Sequence, residues 1–329
     1  MATKDPKTTK ALDIGRACFA GRRCRAPSFA IFVLFACFVA DPFLRSMSRV
    51  YAQGDVTDAD LAAVTSRTVA IGAAGGGGVE QVPLEVYVAR VLVGEAEPNA
   101  PEATQQALAI AIRTYAVFNA GRHQSDGYDL CDATHCQVPR PANANSRRAA
   151  MATAGQILTY RGSPAEIFYS ASCGGRSESV TDAWQKAARP YLRSIKDDVH
   201  DDDVPWTLSL PLADVQAALE RSGFAGQLKK VEIASRSKSG RASFLKVSGM
   251  RPDRISGDQL RASLGFTRLR STAFSLKKKD DTLLFTGRGY GHGVGMCVIG
   301  AGRRARRGET TPEILKTYYP GLKIERLSS

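Results

Sequence analysis

Apolar side chains recur at helical spacing through Leu108, Ile112, Tyr115 and Phe118, and this stretch is the clearest element in the chain. The pattern predicts a helix that Asn99 caps, with Pro101 in its first turn and Glu102 three residues after the cap. It runs through Gln105 to Asn119 and stops at Gly121. A helix opening at Pro83 and running to about Leu92 precedes it, and Gly94-Glu95-Ala96-Glu97-Pro98 separates the two. Further helices are predicted over Asn145–Ala152, Ala213–Ser222, Asp258–Gly265 and Thr311–Tyr318. Strands are predicted over Arg67–Ile71, over Gln156–Tyr160 and Ala165–Ser170 across an Arg161-Gly162 turn, and over Val231–Ala234 and Ser243–Val247 across Gly240. Two late strands follow at Ala273–Leu276 and Leu283–Phe285. Residues 53–66 carry no strong pattern, and Gly75-Gly76-Gly77-Gly78 is too flexible for an element interior. Helices and strands mix without βαβ alternation, which argues for the α+β class.

Composition supports a folded body. Of 329 residues 43% are hydrophobic and 23% charged, enough apolar surface for a core, which excludes disorder and a disulfide-only scaffold. No apolar run reaches the roughly 18 residues of a spanning helix. The formal charge of +13 points to an anionic partner: nucleic acid, a membrane surface or a cell-wall polymer. That charge is uneven. Arg16, Arg22, Arg23 and Arg25 precede the apolar stretch Phe29–Ala40, which Asp41-Pro42 ends. A basic start and about a dozen apolar residues read as an export signal over residues 1–52, with small-residue cleavage points at Ala40 or Ala52. A retained membrane anchor and a buried helix behind a basic tail are the alternatives. Residues 53–78 then form a linker and first strand, and 79–329 the main domain. Lys277-Lys278-Lys279 and Arg303 to Arg307 could meet phosphates, but no nucleic-acid-binding signature accompanies them, so nucleic acid is disfavoured. Beyond Cys18, Cys24 and Cys37, four cysteines remain: Cys131, Cys136, Cys173 and Cys297. In an oxidising compartment they allow two disulfides in any of three pairings.

Five segments could carry chemistry. Glu95 lies between two helices among apolar residues, which raises a carboxyl's pKa; Glu97 would push the same way if its side chain came near. A carboxyl that stays protonated can act as a general acid. Arg113, on an alanine-rich helix beside Thr114 and Tyr115, wants a carboxylate or an anionic ligand, or snorkels from the core. From Gly287 to Gly295 glycine takes every second position; on a strand one face would be bare backbone and the other would carry Arg288, Tyr290, His292, Val294 and Met296. Cys131-x3-His135-Cys136, with His123 upstream, offers zinc-type ligands, against a Cys131–Cys136 disulfide as the other reading. Cys173, before Gly174-Gly175, is a candidate nucleophile or a structural loop residue.

Taken in order, these segments resemble the stage II sporulation protein D and amidase-enhancer (SpoIID/LytB) family. The resemblance runs from about Val82 to Leu322. It rests on Val82-Pro-Leu-Glu85-x-Tyr87, Gly94-Glu95, Ala111-Ile-Arg113-Thr-Tyr115-Ala116 and Tyr128-Asp-Leu-Cys131-Asp-x-Thr-His135-Cys136-Gln137. It continues with Ala154-Gly155 to Tyr160, Ser172-Cys173-Gly-Gly175, Pro190-Tyr191-Leu192, Gly287 to Met296 and Tyr318-Tyr-Pro-Gly321. The resemblance implies an exported cell-envelope protein that acts on peptidoglycan, either as a lytic transglycosylase on peptide-stripped glycan strands or as an enhancer of a cell-wall amidase. It also implies a curved, largely antiparallel sheet lining a glycan cleft, with a small αβ subdomain inserted at about 205–270. Glu95 stands at the place of the family's catalytic glutamate. Arg113, Tyr115, Ser172, Gly174, Tyr290 and His292 are then expected to line the cleft, and His123, Cys131, His135 and Cys136 to offer ligands for a structural zinc; no cofactor is required. One departure stands out: the family's Ser-Gln after the glycine run is Cys297-Val298 here.

Overall fold

A computed structural model describes residues 55–197 and 204–327 of the chain. The apolar stretch Phe29–Ala40 and its three neighbouring cysteines lie outside the described residues. Among the described residues no helix is long and apolar enough to cross a membrane.

The first half runs α1 (Asp58–Ala63), β1 (Thr68–Gly72), β2 (Val79–Pro83), α2 (Leu84–Glu95), α3 (Glu102–Phe118), β3 (Leu130–Cys131), α4 (Ala144–Ala152), β4 (Gln156–Tyr160), β5 (Ser163–Pro164), β6 (Tyr169–Ser170) and α5 (Val180–Trp184). The second half runs β7 (Trp206–Pro211), α6 (Leu212–Arg221), β8 (Ala225–Arg236), β9 (Ala242–Arg251), β10 (Arg254–Ser256), α7 (Gly257–Leu264), β11 (Phe274–Lys279), β12 (Thr282–Gly287), β13 (Met296–Cys297), α8 (Val298–Arg306), α9 (Thr311–Tyr318) and β14 (Lys323–Arg326).

The class is α+β, as the pattern indicates. The single curved sheet is not what forms. The strands divide into five small sheets: β2-β1-β3, β10-β9-β8, β11-β12-β7, β13-β6 and β14-β4-β5. Most pairs are antiparallel; β1–β3 and β13–β6 are parallel. Two apolar cores explain the division. One gathers α2, α3, α4 and the C-terminal helices around Tyr87, Leu108, Ile112, Tyr318 and Tyr319. The other lies under α6 and α7 and draws its residues from Trp206 to Phe285, past residue 270. Leu210, Leu245, Leu260 and Phe285 sit at its centre.

Local chemistry sets the element ends. Thr57, Asn143, Ser256 and Thr310 each head a reciprocal capping box, satisfying backbone donors that a helix start leaves open. The α3 start corrects the sequence reading: Pro101, not Asn99, holds the N-cap position, without a side-chain bond. Its ψ of 151° is still extended, so the helical conformation begins at the next residue, Glu102. The Arg161-Gly162 turn has positive φ at both residues (55° and 79°), the geometry that closes a two-residue hairpin, but the return arm pairs only through Ser163–Pro164 and the Ala165 amide, which donates to the Leu158 carbonyl at 3.0 Å. The chain then leaves to pair Tyr169 and Ser170 with Met296 and Cys297.

Candidate functional site

Glu95 is the last residue of α2 and is half-buried. Burial raises its pKa above the ordinary carboxylate value. The carbonyl end of a helix also disfavours negative charge there. Gly94 makes the position possible, because a Cβ at Gly94 would lie 2.9 Å from the Val138 carbonyl oxygen. That contact brings the Gln137 segment against the end of α2. Two turns earlier on the same helix, the Tyr87 hydroxyl donates to Gln137 Oε1 at 2.9 Å. Gln137 Nε2 donates in turn to the Tyr169 hydroxyl at 2.8 Å. Both tyrosines feel the Glu95 charge. Among the described residues the Glu95 carboxyl itself has no hydrogen-bond partner, so it sits against a braced tyrosine pair with its own oxygens uncommitted. Glu97 does not assist it: that side chain reaches Arg306 at 3.5 Å.

Arg113 is not on any cleft wall. Its guanidinium is fully buried and forks onto the equally buried Glu85 through Nε and Nη2. Nη1 reaches the Gln156 carbonyl at 3.0 Å, and Nη2 the Ala150 carbonyl at 3.3 Å. Glu85 also accepts from the Gly155 amide at 3.0 Å. The pair ties α2 and α3 to the α4–β4 corner; the carboxylate that Arg113 wants is Glu85. Tyr115, two residues on, is buried, and burial lifts its phenol to about 12.

His123, Cys131, His135 and Cys136 converge, with one ligand atom from each within 4.8 Å of every other. His123 Nε2 lies 3.3 Å from His135 Nδ1. Cys136 Sγ lies 3.4 and 3.6 Å from those two nitrogens, and Cys131 Sγ 3.7 Å from His135 Nδ1. With zinc–nitrogen and zinc–sulfur bonds of about 2.0 and 2.3 Å, tetrahedral edges are about 3.3 Å (N to N) and 3.5 Å (N to S), so the four atoms fit a Cys₂His₂ centre. Asp126 lies 3.0 Å from His123 Nδ1, an orienting partner of the kind metal-bound imidazoles have. Arg122 Nη2 is 3.1 Å from His135 Nε2. It can donate there only while Nδ1 holds the proton, and Arg122 Nη1 also lies 3.4 Å from both Asn119 Oδ1 and the Tyr115 hydroxyl. Cys131 and Cys136 are free thiols here.

The glycine run is not an extended strand. Gly289, Gly291, Gly293 and Gly295 all have positive φ, between 75° and 106°, so the alternation is one of backbone hand rather than of two strand faces. Its bare positions are filled by protein rather than left open to ligand. A Cβ at Gly295 would lie 1.8 Å from the Phe168 carbonyl oxygen, and one at Gly293 would strike the Arg241 guanidinium at 2.3 Å. His292 is half-buried. Its Nδ1 accepts the Val294 amide at 3.0 Å, leaving the proton on Nε2. The ring packs on Trp184 at 5.0 Å and Phe168 at 6.1 Å. Burial, then Arg261 and Arg241, pull it down to about 3, so it is neutral at any ordinary pH. Ser172 is buried, with its backbone paired to Tyr290, whose side chain is exposed. Gly174 abuts Arg288 and Gly289. Cys173 is buried beside Cys297 and Asp197, which leaves it no access as a nucleophile.

The structure therefore brings Glu95 together with Tyr87, Gln137 and Tyr169. Tyr115, Cys131 and Cys136 lie close enough to Tyr87 to push its phenol up as well. Adjacent residues of one segment serve both halves: the Phe168 ring faces His292, and the Tyr169 hydroxyl bonds Gln137. Sequence reasoning gave no role to Tyr87, Gln137, Tyr169 or Glu85. The eight-residue spacing of Tyr87 and Glu95 on one helix was the available signal.

These features define an α+β protein with a half-buried, uncommitted carboxyl near a hydrogen-bonded tyrosine pair, and a Cys₂His₂ cluster. Residues 72–160 match the family model described as stage II sporulation protein, and residues 206–295 match a domain of unknown function (DUF8618). An uncharacterised protein of Brachyspira hyodysenteriae is 31% identical over 252 residues, 75% of this chain and 67% of that protein. Stage II sporulation protein D of Bacillus subtilis is 29% identical over 275 residues, 75% of each chain. The amidase enhancer of the same organism is 27% identical over 274 residues, which cover 67% of this chain and 37% of that protein. The chain belongs to the SpoIID/LytB family.

Proposed function

We propose that this protein is a cell-envelope lytic transglycosylase that cuts the bond between N-acetylmuramic acid and N-acetylglucosamine in peptide-stripped glycan strands. The observation that carries this reading is the Glu95 carboxyl: half-buried, shifted toward its protonated form, and free of hydrogen-bond partners among the described residues. Protonated Glu95 donates to the glycosidic oxygen as the bond to muramic C1 breaks. The resulting carboxylate takes the proton from the muramic 6-hydroxyl as that oxygen closes onto C1. The product is a 1,6-anhydro end, and the carboxyl returns to its starting state. The second nucleophile belongs to the substrate, so one carboxyl serves both steps. Tyr87, Gln137 and Tyr169 satisfy one another and so keep the wall beside Glu95 rigid without drawing on its oxygens.

His123, Cys131, His135 and Cys136 would hold a zinc ion. It would supply a cross-link and no step of the reaction, since four protein ligands leave no open position. Its effect would be to fix Cys136, and through it Gln137, against Tyr87 and Tyr169. A second reading, in which the protein binds glycan and stimulates a separate cell-wall amidase, draws on the likeness to the amidase enhancer. Incubation with stripped strands followed by mass spectrometry separates them. The transglycosylase yields anhydro ends unaided, whereas the enhancer yields none and accelerates an added amidase.

A further inference from the structure

Cys173 and Cys297 form a second thiol pair, remote in sequence and buried at 3% and 2% exposure. Their sulfurs and a carboxylate oxygen of Asp197 lie within 4.8 Å of one another. The Cys173 amide donates to Cys297 Sγ at 3.2 Å, so the first cysteine's backbone already stands at the second one's sulfur. The Gly300 amide, in the first turn of α8, donates to the same sulfur at 3.3 Å. Two backbone donors thus converge on Cys297 Sγ and hold it beside Cys173 in the folded chain. A metal is a poor occupant. Asp197 Oδ2 accepts the Tyr318 hydroxyl at 2.6 Å, and Oδ1 faces Arg304 at 3.5 Å. That leaves two sulfurs and a carboxylate already neutralised by a guanidinium. Position 297 is also where this chain carries Cys in place of the serine that the family resemblance leads one to expect.

We infer that Cys173 and Cys297 are joined by a disulfide in the protein as it works outside the cytoplasm, bolting the Ser172–Gly175 loop to the end of the glycine run. The oxidant is a disulfide of the thiol–disulfide exchange class, such as oxidised glutathione or an envelope oxidoreductase. Cys297 thiolate attacks that disulfide, forming a mixed disulfide and releasing one thiolate. Cys173, losing its proton, then attacks Cys297 Sγ and releases the second thiolate. Two electrons pass to the oxidant, and the two protons end on its thiols or in water. Because both sulfurs are buried in the folded state, the bond forms before the fold closes. The closed loop links residues 124 apart in sequence, so it restricts the unfolded chain strongly. Cys131 and Cys136 keep their thiols for the histidine cluster. This inference rests on the envelope location in the proposed function but not on glycan cutting, and survives or falls without the latter.

The full chain, exported by its expressing cell, is alkylated under denaturing, non-reducing conditions, digested and mapped by mass spectrometry. The expected result is one cross-linked peptide pair containing Cys173 and Cys297, two mass units below the sum of its reduced halves, with Cys131 and Cys136 alkylated. Alkylation of both Cys173 and Cys297, protection lifted by a chelator alone, or a cross-link to any other cysteine overturns the inference. Thermal unfolding gives the second arm. Reductant lowers the midpoint of the wild type by about 10 °C and leaves Cys297→Ser unmoved. An equal response in both, or none in the wild type, overturns it as well.

Discussion

The Glu85–Arg113 pair is where sequence and structure assign the same side chain different work, and its removal discriminates between them. Arg113→Ala strips the buried Glu85 carboxylate of its Nε and Nη2 donors and leaves it the Gly155 amide. It also removes the donors to the Ala150 and Gln156 carbonyls that pin the α4–β4 corner. Breaking one side of a buried ion pair costs about 3–5 kcal/mol, because the remaining charge stays desolvated. For a body of this size that is a fall of roughly 6–20 °C in melting temperature. Glu85→Leu should cost a similar amount. The double variant Glu85→Leu/Arg113→Ala should cost clearly less than the sum of the two, since it leaves no orphaned charge. Urea unfolding of the four proteins gives the coupling energy, and glycan binding is measured in parallel. Were Arg113→Ala to leave stability within about 1 kcal/mol of wild type while weakening glycan binding, the guanidinium would belong to a ligand site and the structural role would be refuted.

Two further outcomes are expected. His292 is pulled from its ordinary value down to about 3, so the folded protein binds this proton less readily than the unfolded chain. A depressed histidine contributes stability above its unfolded pKa of about 6.5 and loses it as pH falls toward 3. His292→Asn should therefore flatten the loss of stability over that acid range in denaturation series; an unchanged pH dependence would count against a buried neutral imidazole. Metal analysis of the purified full chain should find one zinc per chain, lost in Cys136→Ser, and chelation should lower the wild-type melting temperature. A metal content unaffected by that substitution would exclude the cluster as its seat.

Much of the frame was legible because it is local. The α3 stripe, the Thr311–Tyr318 helix and the Arg161-Gly162 turn are each specified by residues within a few positions of one another. What was hidden depends on partners far along the chain. Helix α8 was not read because Gly300 and Gly302 sit inside it, and glycine ordinarily weakens a helix. Gly300 is there for packing: a Cβ would fall 2.1 Å from Asp197 and 2.3 Å from the Tyr318 hydroxyl. The glycine run has a strand's period but not its backbone, because positive φ at alternate residues is invisible to a pattern of letters. In the site, Glu95 and the four ligand residues were picked out by the family resemblance, since an apolar turn or a Cys-x3-His-Cys spacing alone is a weak signal. The Tyr87–Gln137–Tyr169 brace was not, since its members are 50 and 32 residues apart and meet only in the fold.

The most direct measurement is the yield of 1,6-anhydro muramic ends from stripped glycan strands, counted by mass spectrometry for the full chain and for Glu95→Gln. General acid–base catalysis is worth roughly 10²–10⁴-fold, so the variant should lose that much turnover while still binding strands. Anhydro ends formed by Glu95→Gln at the wild-type rate, or none formed by the wild type, would contradict the assignment of Glu95 as the cutting acid.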